Sequence, residues 1–188
     1  MPQDDGTGKP LAIELPANSP GFVEIYFLNS TGSAIASPVT LYANTLADGA
    51  SYTKTATYMT FNGSLSIGPM SSNVSTSQTC PLSALPVGVK FWWLSTHTHS
   101  HATNASLLDG ATTLVSTSDW HAPAVAIHDT SPFYTFTQGL TYSCTFVNST
   151  NAAITAGDSY AEDENCVGIG YFFPATAPLI CYNQIGPL

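Results

Sequence analysis

Short segments rich in Val, Ile, Tyr, Phe and Thr alternate along this chain with clusters of Gly, Pro, Asn and Ser. Segments of this composition favour β-strands, and the clusters between them favour turns. We predict strands near residues 11–15, 21–28, 39–43, 55–61, 87–94, 113–116, 133–136, 140–147 and 167–173. No amphipathic run is long enough to indicate a helix. The pattern therefore predicts an all-β fold of the two-sheet sandwich or jelly-roll type.

The length of the chain bounds its domain organisation. Its 188 residues can bury one substantial core, and the sequence contains neither an internal repeat nor a long linker. We predict a single domain over residues 11–188, preceded by a flexible tail at residues 1–10.

Few residues of this chain are charged, and most of those are acidic. Charged residues are 8% of the sequence, the net charge is −9, and the cations are Lys9, Lys54 and Lys90, without any arginine. Binding to nucleic acid requires Lys and Arg to neutralise phosphates. We therefore predict no nucleic-acid partner and no binding to an anionic membrane surface. No apolar segment approaches the length of a transmembrane span.

The four cysteines are Cys80, Cys144, Cys166 and Cys181, and no two of them form a C-x-x-C pair. An even number without zinc-ribbon spacing is most simply explained by two disulfides. Disulfides persist in oxidising compartments. We therefore predict a secreted or periplasmic protein.

Three of the five histidines, His97, His99 and His101, follow one another at a period of two. The aromatic and branched run at residues 89–94 predicts a strand just before them. Alternate side chains of a strand point to the same face, so neighbouring imidazoles of the three can converge on one ion. Neutral imidazole is a common ligand of zinc, copper, iron and nickel. The motif predicts a metal site but does not name the metal.

Two other groups of residues can be interpreted either as metal ligands or as parts of solvated loops. His121 and His128 lie in a stretch rich in Ser and Asp, which is typical of a solvated loop, and metal contact is the alternative. A second group is acidic and suits either a hard cation such as calcium or another solvated loop. Its members are Asp158, Glu162, Asp163 and Glu164. A Ser-His-Asp hydrolase is not indicated, because the chain has no G-x-S-x-G motif.

Several motifs occur in the order found in one known family. The segment from Cys80-Pro81 to Phe91-Trp92-Trp93-Leu94-Ser95-Thr96-His97-Thr98-His99 resembles the catalytic copper domain of the type II ascorbate-dependent copper monooxygenases, which include peptide-amidating and dopamine-hydroxylating enzymes. The resemblance covers about residues 20 to 182. Its later matches are Trp120, Ser131-Pro132-Phe133-Tyr134, Leu140-Thr141-Tyr142-Ser143-Cys144-Thr145-Phe146 and Glu162-Asp163-Glu164-Asn165-Cys166.

The resemblance implies an antiparallel two-sheet jelly-roll sandwich with disulfides Cys144–Cys166 and Cys80–Cys181. It also implies that His97 and His99 are copper ligands. The family's third ligand is a methionine, and the matching residue here is Asn165. A soft thioether suits Cu(I), whereas a hard amide oxygen suits harder cations, so the cofactor is predicted to be copper, with zinc as an alternative. Other donors that can serve as the third ligand are His101, Glu164, Met59 and Met70.

The resemblance is incomplete in two respects. The family carries a separate electron-transfer copper domain that is not matched here, so turnover requires an electron-donating partner. Amidating members hold the substrate carboxylate with an Arg, an Asn and a Tyr, whereas the matching residues here are Ser95, Val167 and Ile169. Peptide amidation is therefore not expected, and the small-molecule substrate is not specified.

The main interpretation of the sequence is an extracellular copper-binding domain related to the copper monooxygenases, with a mononuclear site at the His-x-His motif. Such a domain acts either as a copper-dependent oxygenase or as a module that captures or delivers copper without turnover. The alternative is a structural or adhesive β-sandwich that self-associates through an exposed strand edge and keeps a vestigial metal site.

Overall fold

The computed structural model describes residues 1–20, 25, 29 and 31–182, and over these residues the protein is all-β, as predicted. One turn of 3-10 helix spans Leu82–Ala84. The strands are β1 Leu11–Ala12, β2 Thr53–Lys54, β3 Ala56–Phe61, β4 Ser66–Ile67, β5 Ser71–Cys80, β6 Lys90–His97, β7 Ala102–Asp109, β8 Thr112–Thr117, β9 Val125–Ile127, β10 Leu140–Asn148, β11 Ile154–Thr155, β12 Val167–Phe173 and β13 Leu179–Tyr182. No helix in the described ranges has the length and apolar character needed to cross a membrane.

Two larger sheets share one buried core. The five-stranded sheet has the order β13-β3-β12-β6-β9, and the four-stranded sheet has the order β5-β10-β7-β8. Leu94 and Phe172 of the first sheet and Leu107 and Phe146 of the second belong to one buried cluster. The sheets approach closely at Gly168, where an added Cβ would lie 2.6 Å from Leu107 Cδ2. A larger residue at this point of β12 would have to displace the buried Leu107 side chain.

Several strand predictions need correction. Residues 39–43 are exposed and form no strand with any segment in the described part of the chain. The segment 133–136 forms only an isolated bridge between Phe91 and Tyr134. The predicted strand at 11–15 ends at residue 12, and Ile13 and Leu15 are exposed. The predicted strand at 21–28 lies outside the described residues, apart from residue 25. The sequence pattern did not predict β2, β4, β5, β7, β9, β11 or β13.

The structure forms both disulfides that the family resemblance implies. Cys80 at the end of β5 is bonded to Cys181 in β13, so this bridge joins the four-stranded sheet to the five-stranded sheet. Cys144 in β10 is bonded to Cys166, which directly precedes β12. The second bridge therefore anchors the chain next to Asn165 on the core.

The last residue of β7, Asp109, has a buried carboxylate. The Asp109 side chain is 5% exposed and accepts hydrogen bonds from Tyr134 Oη (2.9 Å), Thr137 N–H (2.8 Å), Thr137 Oγ1 (3.0 Å) and Gln138 N–H (2.6 Å). Burial acts to raise the pKa of Asp109, but these hydrogen bonds outweigh it and leave the pKa below the usual value of 3.8. Asp109 thus fixes the loop before β10 to the four-stranded sheet.

Asp109→Asn is expected to lower the free energy of unfolding by about 2–3 kcal/mol at neutral pH, because charge-assisted hydrogen bonds are lost and an amide N–H₂ faces other donors. A carboxyl group whose pKa is depressed in the folded protein contributes stability above its unfolded pKa and loses that contribution as the pH falls through its folded pKa. The difference between wild type and variant should therefore shrink below about pH 4. Urea unfolding at a series of pH values measures it, and a constant difference down to pH 2 would contradict this role.

Candidate metal centre

The first candidate ligand, His97, is the last residue of β6. Val167 of β12 pairs with His97, and Ile169 pairs with Ser95 two residues earlier. Because alternate residues of a strand share a face, these four side chains lie on the same face of the five-stranded sheet. Gly168 lies on the opposite face, toward the core. The three positions that match the carboxylate-binding residues of amidating enzymes are therefore neighbours of His97.

The second candidate ligand, His99, lies just beyond the end of β6 and is only 5% exposed. Its ring centroid is 5.2 Å from that of His97, and the two rings are nearly perpendicular. His99 Nδ1 lies 3.1 Å from the carbonyl oxygen of Asp163. Since a carbonyl oxygen only accepts, Nδ1 carries the proton and Nε2 has the lone pair. The tautomer of His99 therefore leaves Nε2 able to bind a metal.

The Asn165 side chain meets His99 at this atom. Its Nδ2 lies 3.1 Å from His99 Nε2, and the residue is 8% exposed. Asn165 Oδ1 is buried and has no hydrogen-bond partner. Because His99 Nε2 has the lone pair, Asn165 Nδ2 donates a hydrogen bond to it in this structure. A metal ion at Nε2 would displace this hydrogen bond, and half a turn of the amide group would present Oδ1 to the ion instead of Nδ2. The candidate site thus consists of two imidazoles and a buried amide whose oxygen has no hydrogen-bond partner.

The protonation state of His97 also suits ligation. Its side chain is exposed at the strand end, but partial desolvation by the surrounding protein, followed by the nearby His99 ring, lowers the pKa of His97 below 6.5. A metal binds only the neutral imidazole. His97 is therefore uncharged at neutral pH, in the form that a metal requires.

The side chain of the buried Glu164 accepts backbone hydrogen bonds instead of acting as a metal ligand. Its side chain is fully buried and accepts hydrogen bonds from the backbone N–H groups of three residues. His99 N–H and Asn165 N–H (2.8 Å) donate to Oε1, and His101 N–H (2.9 Å) donates to Oε2. The sequence pattern did not reveal this role, because Glu164 and His99 are 65 residues apart.

The other candidate donors do not gather around the histidine pair. His101 follows the end of β6, and its Nε2 lies 3.4 Å from the carbonyl oxygen of Ala161. Met59 lies in β3, which β12 separates from β6, and Met70 is 70% exposed at the start of β5. Within the ranges that the structure describes, no three His, Cys, Asp or Glu side chains form a group that could hold a metal. Neither a three-histidine site nor a site in the acidic segment 158–164 is assembled there.

The two remaining histidines lie apart from the pair. The His121 ring contacts Trp120, with ring centroids 3.6 Å apart. His128 N–H donates to the carbonyl oxygen of Trp92, five residues before His97 in β6. Burial lowers the pKa of His128. Neither residue contributes to the arrangement around His99.

The donor set fits a copper or zinc ion. Both metals accept imidazole ligands, and an amide oxygen is a hard donor that favours Cu(II) and Zn(II) over Cu(I). His97, His99 and Asn165 would all bind a metal as neutral donors, so a bound divalent ion would leave a net positive charge at the site. The unsatisfied Asn165 Oδ1 is the observation in this structure that most favours a bound cation.

A comparison with known protein families found a match over most of the chain. The family model for the copper type II ascorbate-dependent monooxygenase, C-terminal domain, matches residues 53–187. The match extends from β2 past the end of β13 and includes the candidate ligands and both disulfides. No curated protein matches the chain.

Proposed function

Because this chain belongs to the family of the copper type II ascorbate-dependent monooxygenase C-terminal domain, we propose that it binds one copper ion through His97, His99 and Asn165. The observation that carries the proposal is the Asn165 amide, buried 3.1 Å from His99 Nε2 with its own oxygen unsatisfied. The asparagine occupies the position of the family's methionine ligand. Relative to the family, this chain therefore offers an amide oxygen as donor in place of a thioether sulfur.

Bound copper would supply one-electron redox chemistry and a centre for oxygen activation. Three features of this chain favour copper binding. Asp163 holds the His99 tautomer through its carbonyl oxygen, partial desolvation keeps His97 neutral, and Asn165 offers an oxygen. Since the amide favours Cu(II), we propose that turnover depends on an electron-donating partner that reduces the copper.

The surroundings of His97 do not suit a carboxylate substrate. Ser95, Val167 and Ile169 share its face, and none of them can form an ion pair. Lys54 is bound to Glu14, and Lys90 lies at the opposite end of β6. We therefore propose a small molecule without a carboxylate group as substrate.

The arrangement of the sheets, the extent of the domain and the location of the protein are also part of the proposal. The predicted antiparallel arrangement needs one correction, because β13 pairs with β3 in parallel. We propose that the two larger sheets form a jelly-roll sandwich and that residues 11–188 are one domain. The two disulfides, together with the family, point to an extracytoplasmic location, and we propose that the protein is secreted.

Asn165→Met is expected to tighten Cu(I) binding by about tenfold, equivalent to about 1.4 kcal/mol, because the thioether is a soft donor at a position next to His99. Competition against a chromophoric Cu(I) chelator measures the affinity. Asn165→Leu is the matched control, since leucine has similar size and no donor atom, and it should not tighten binding. Equal Cu(I) affinities of the methionine and leucine variants would place residue 165 outside the ligand set.

The same titration separates the proposal from the alternative of a structural or adhesive domain with a vestigial site. A vestigial site predicts weak copper binding that does not respond to substitutions at residue 165. Self-association through a strand edge predicts concentration-dependent oligomers, which analytical ultracentrifugation detects.

A further inference from the structure

The carboxylate of Glu164 is buried and has no cationic partner. Its side chain is 0% exposed and binds only backbone N–H groups among its described contacts. The ion pairs that the structure records in its described part join Lys54 to Glu14 and His121 to Asp119, and neither includes Glu164. A buried charge is costly unless it is paired or coordinated. The position of this charge beside the histidine pair therefore requires an explanation.

We propose, on the basis of the proposed copper site, that Glu164 is its positioning residue: the carboxylate fixes His99 and Asn165 relative to each other and supplies a negative charge that favours Cu(II). It does so without being a ligand.

The positioning role follows from the hydrogen bonds. One oxygen, Oε1, accepts from the N–H groups of both His99 and Asn165, so a single atom joins the two segments that carry these ligands. The second oxygen accepts from His101 N–H at 2.9 Å and holds the turn after β6. On the other side of Asn165, the Cys144–Cys166 disulfide anchors the chain to β10. The His99 and Asn165 backbones are therefore both restrained before a metal binds.

The charge role follows from the neutral donor set. Two imidazoles and an amide leave the charge of a divalent ion uncompensated, and Glu164 is the fully buried carboxylate next to both His99 and Asn165. Asn165 Oδ1, in a residue more than nine-tenths buried, is independently unsatisfied at the same place. An anion near the metal stabilises Cu(II) more than Cu(I), because the divalent ion carries the larger charge. Groups outside the ligand set that orient ligands in this way commonly affect metal affinity by about 10- to 100-fold.

Glu164→Gln tests both roles, because it keeps the shape of the side chain and removes its charge. We expect Cu(II) affinity to fall by about 10- to 100-fold, Cu(I) affinity to fall less, and the electron paramagnetic resonance (EPR) spectrum of the Cu(II) protein to change. Asp109→Asn is the matched control. It also removes a hydrogen-bonded buried carboxylate, but at the far end of β7, and it should lower stability without changing the spectrum or either affinity.

Glu164→Asp separates the two roles, since it keeps the charge and withdraws it by one methylene. We expect its ratio of Cu(II) to Cu(I) affinity to stay close to that of the wild type, while its EPR spectrum changes as the positioning is lost. Two results would contradict the proposed role of Glu164 without contradicting the copper site. One is an equal loss of Cu(II) and Cu(I) affinity in Glu164→Gln, and the other is an unchanged EPR spectrum in both variants. A wild-type protein that binds no copper would contradict the proposed function as well.

A measurement on the wild type covers the case in which the variants do not fold. The amide hydrogens of His99, His101 and Asn165 should exchange slowly with solvent in the metal-free protein and in the diamagnetic Zn(II) form, because Glu164 holds them in both states. Nuclear magnetic resonance resolves each amide. Fast exchange of these three amides in the metal-free protein would show that Glu164 does not organise the site in advance.

Discussion

Replacing both Cys80 and Cys181 with Ala is expected to lower the free energy of unfolding by about 4–5 kcal/mol, one of the two largest effects that the structure predicts. The two residues are 101 positions apart in sequence, and their bond restricts a long loop of the unfolded chain. In the chain-entropy model a loop of about 100 residues corresponds to about 4.7 kcal/mol. The bond also joins β5 to β13, so its loss removes a direct link between the two large sheets.

The Cys144–Cys166 bridge provides the comparison for this prediction. Its 22-residue separation corresponds to about 3 kcal/mol in the same model, so its removal should destabilise the protein less. Urea unfolding of the two double-Ala variants gives both values. A smaller loss for the Cys80 and Cys181 variant than for the Cys144 and Cys166 variant would contradict an explanation based on loop length.

The double variant His97→Ala/His99→Ala is expected to lose at least about 100-fold in Cu(II) affinity, which is about 2.7 kcal/mol, because both imidazole ligands are removed. The fold should remain, because His97 is exposed at the end of β6, His99 lies just beyond that end, and neither residue belongs to the hydrophobic core clusters. His121→Ala is the matched control, since His121 is an exposed histidine whose described ring contacts are with Trp120 and Asp119. Titration with Cu(II) compares the three proteins. Equal affinities of the double variant and the wild type would remove the histidine pair from the site.

The strands that could be predicted are those whose apolar residues are buried in the core. β12 was predicted with its observed bounds, because Val167 to Phe173 combine apolar residues with glycines that allow the sheets to approach. β5 was missed because its sequence, Ser71 to Cys80, is mostly Ser, Thr, Asn and Gln, with only its final residue buried. Pairing with β10 along nearly its whole length makes it a strand. Such pairing is a tertiary contact that local composition does not reveal.

The candidate site could be predicted only where its residues are close in sequence. His97 and His99 are two positions apart, and their proximity follows from local geometry. The contact between Asn165 and His99 spans 66 residues, and Asn165 was identified only because it matches the methionine position of the family. The role of Glu164 depends on the orientation of three backbone N–H groups, and neither periodicity nor spacing encodes that orientation. His101 illustrates the converse, because it is only two positions beyond His99 but its Nε2 lies 3.4 Å from the carbonyl oxygen of Ala161.

The central claim is that His97 and His99 hold one copper ion, and pulsed EPR of the wild-type protein with one equivalent of Cu(II) tests it most directly. The account predicts a single Cu(II) species per chain whose spectrum shows coupling to the nitrogens of two imidazoles, both lost in the double variant His97→Ala/His99→Ala. A spectrum without imidazole coupling, or one that the double variant reproduces, would contradict the claim.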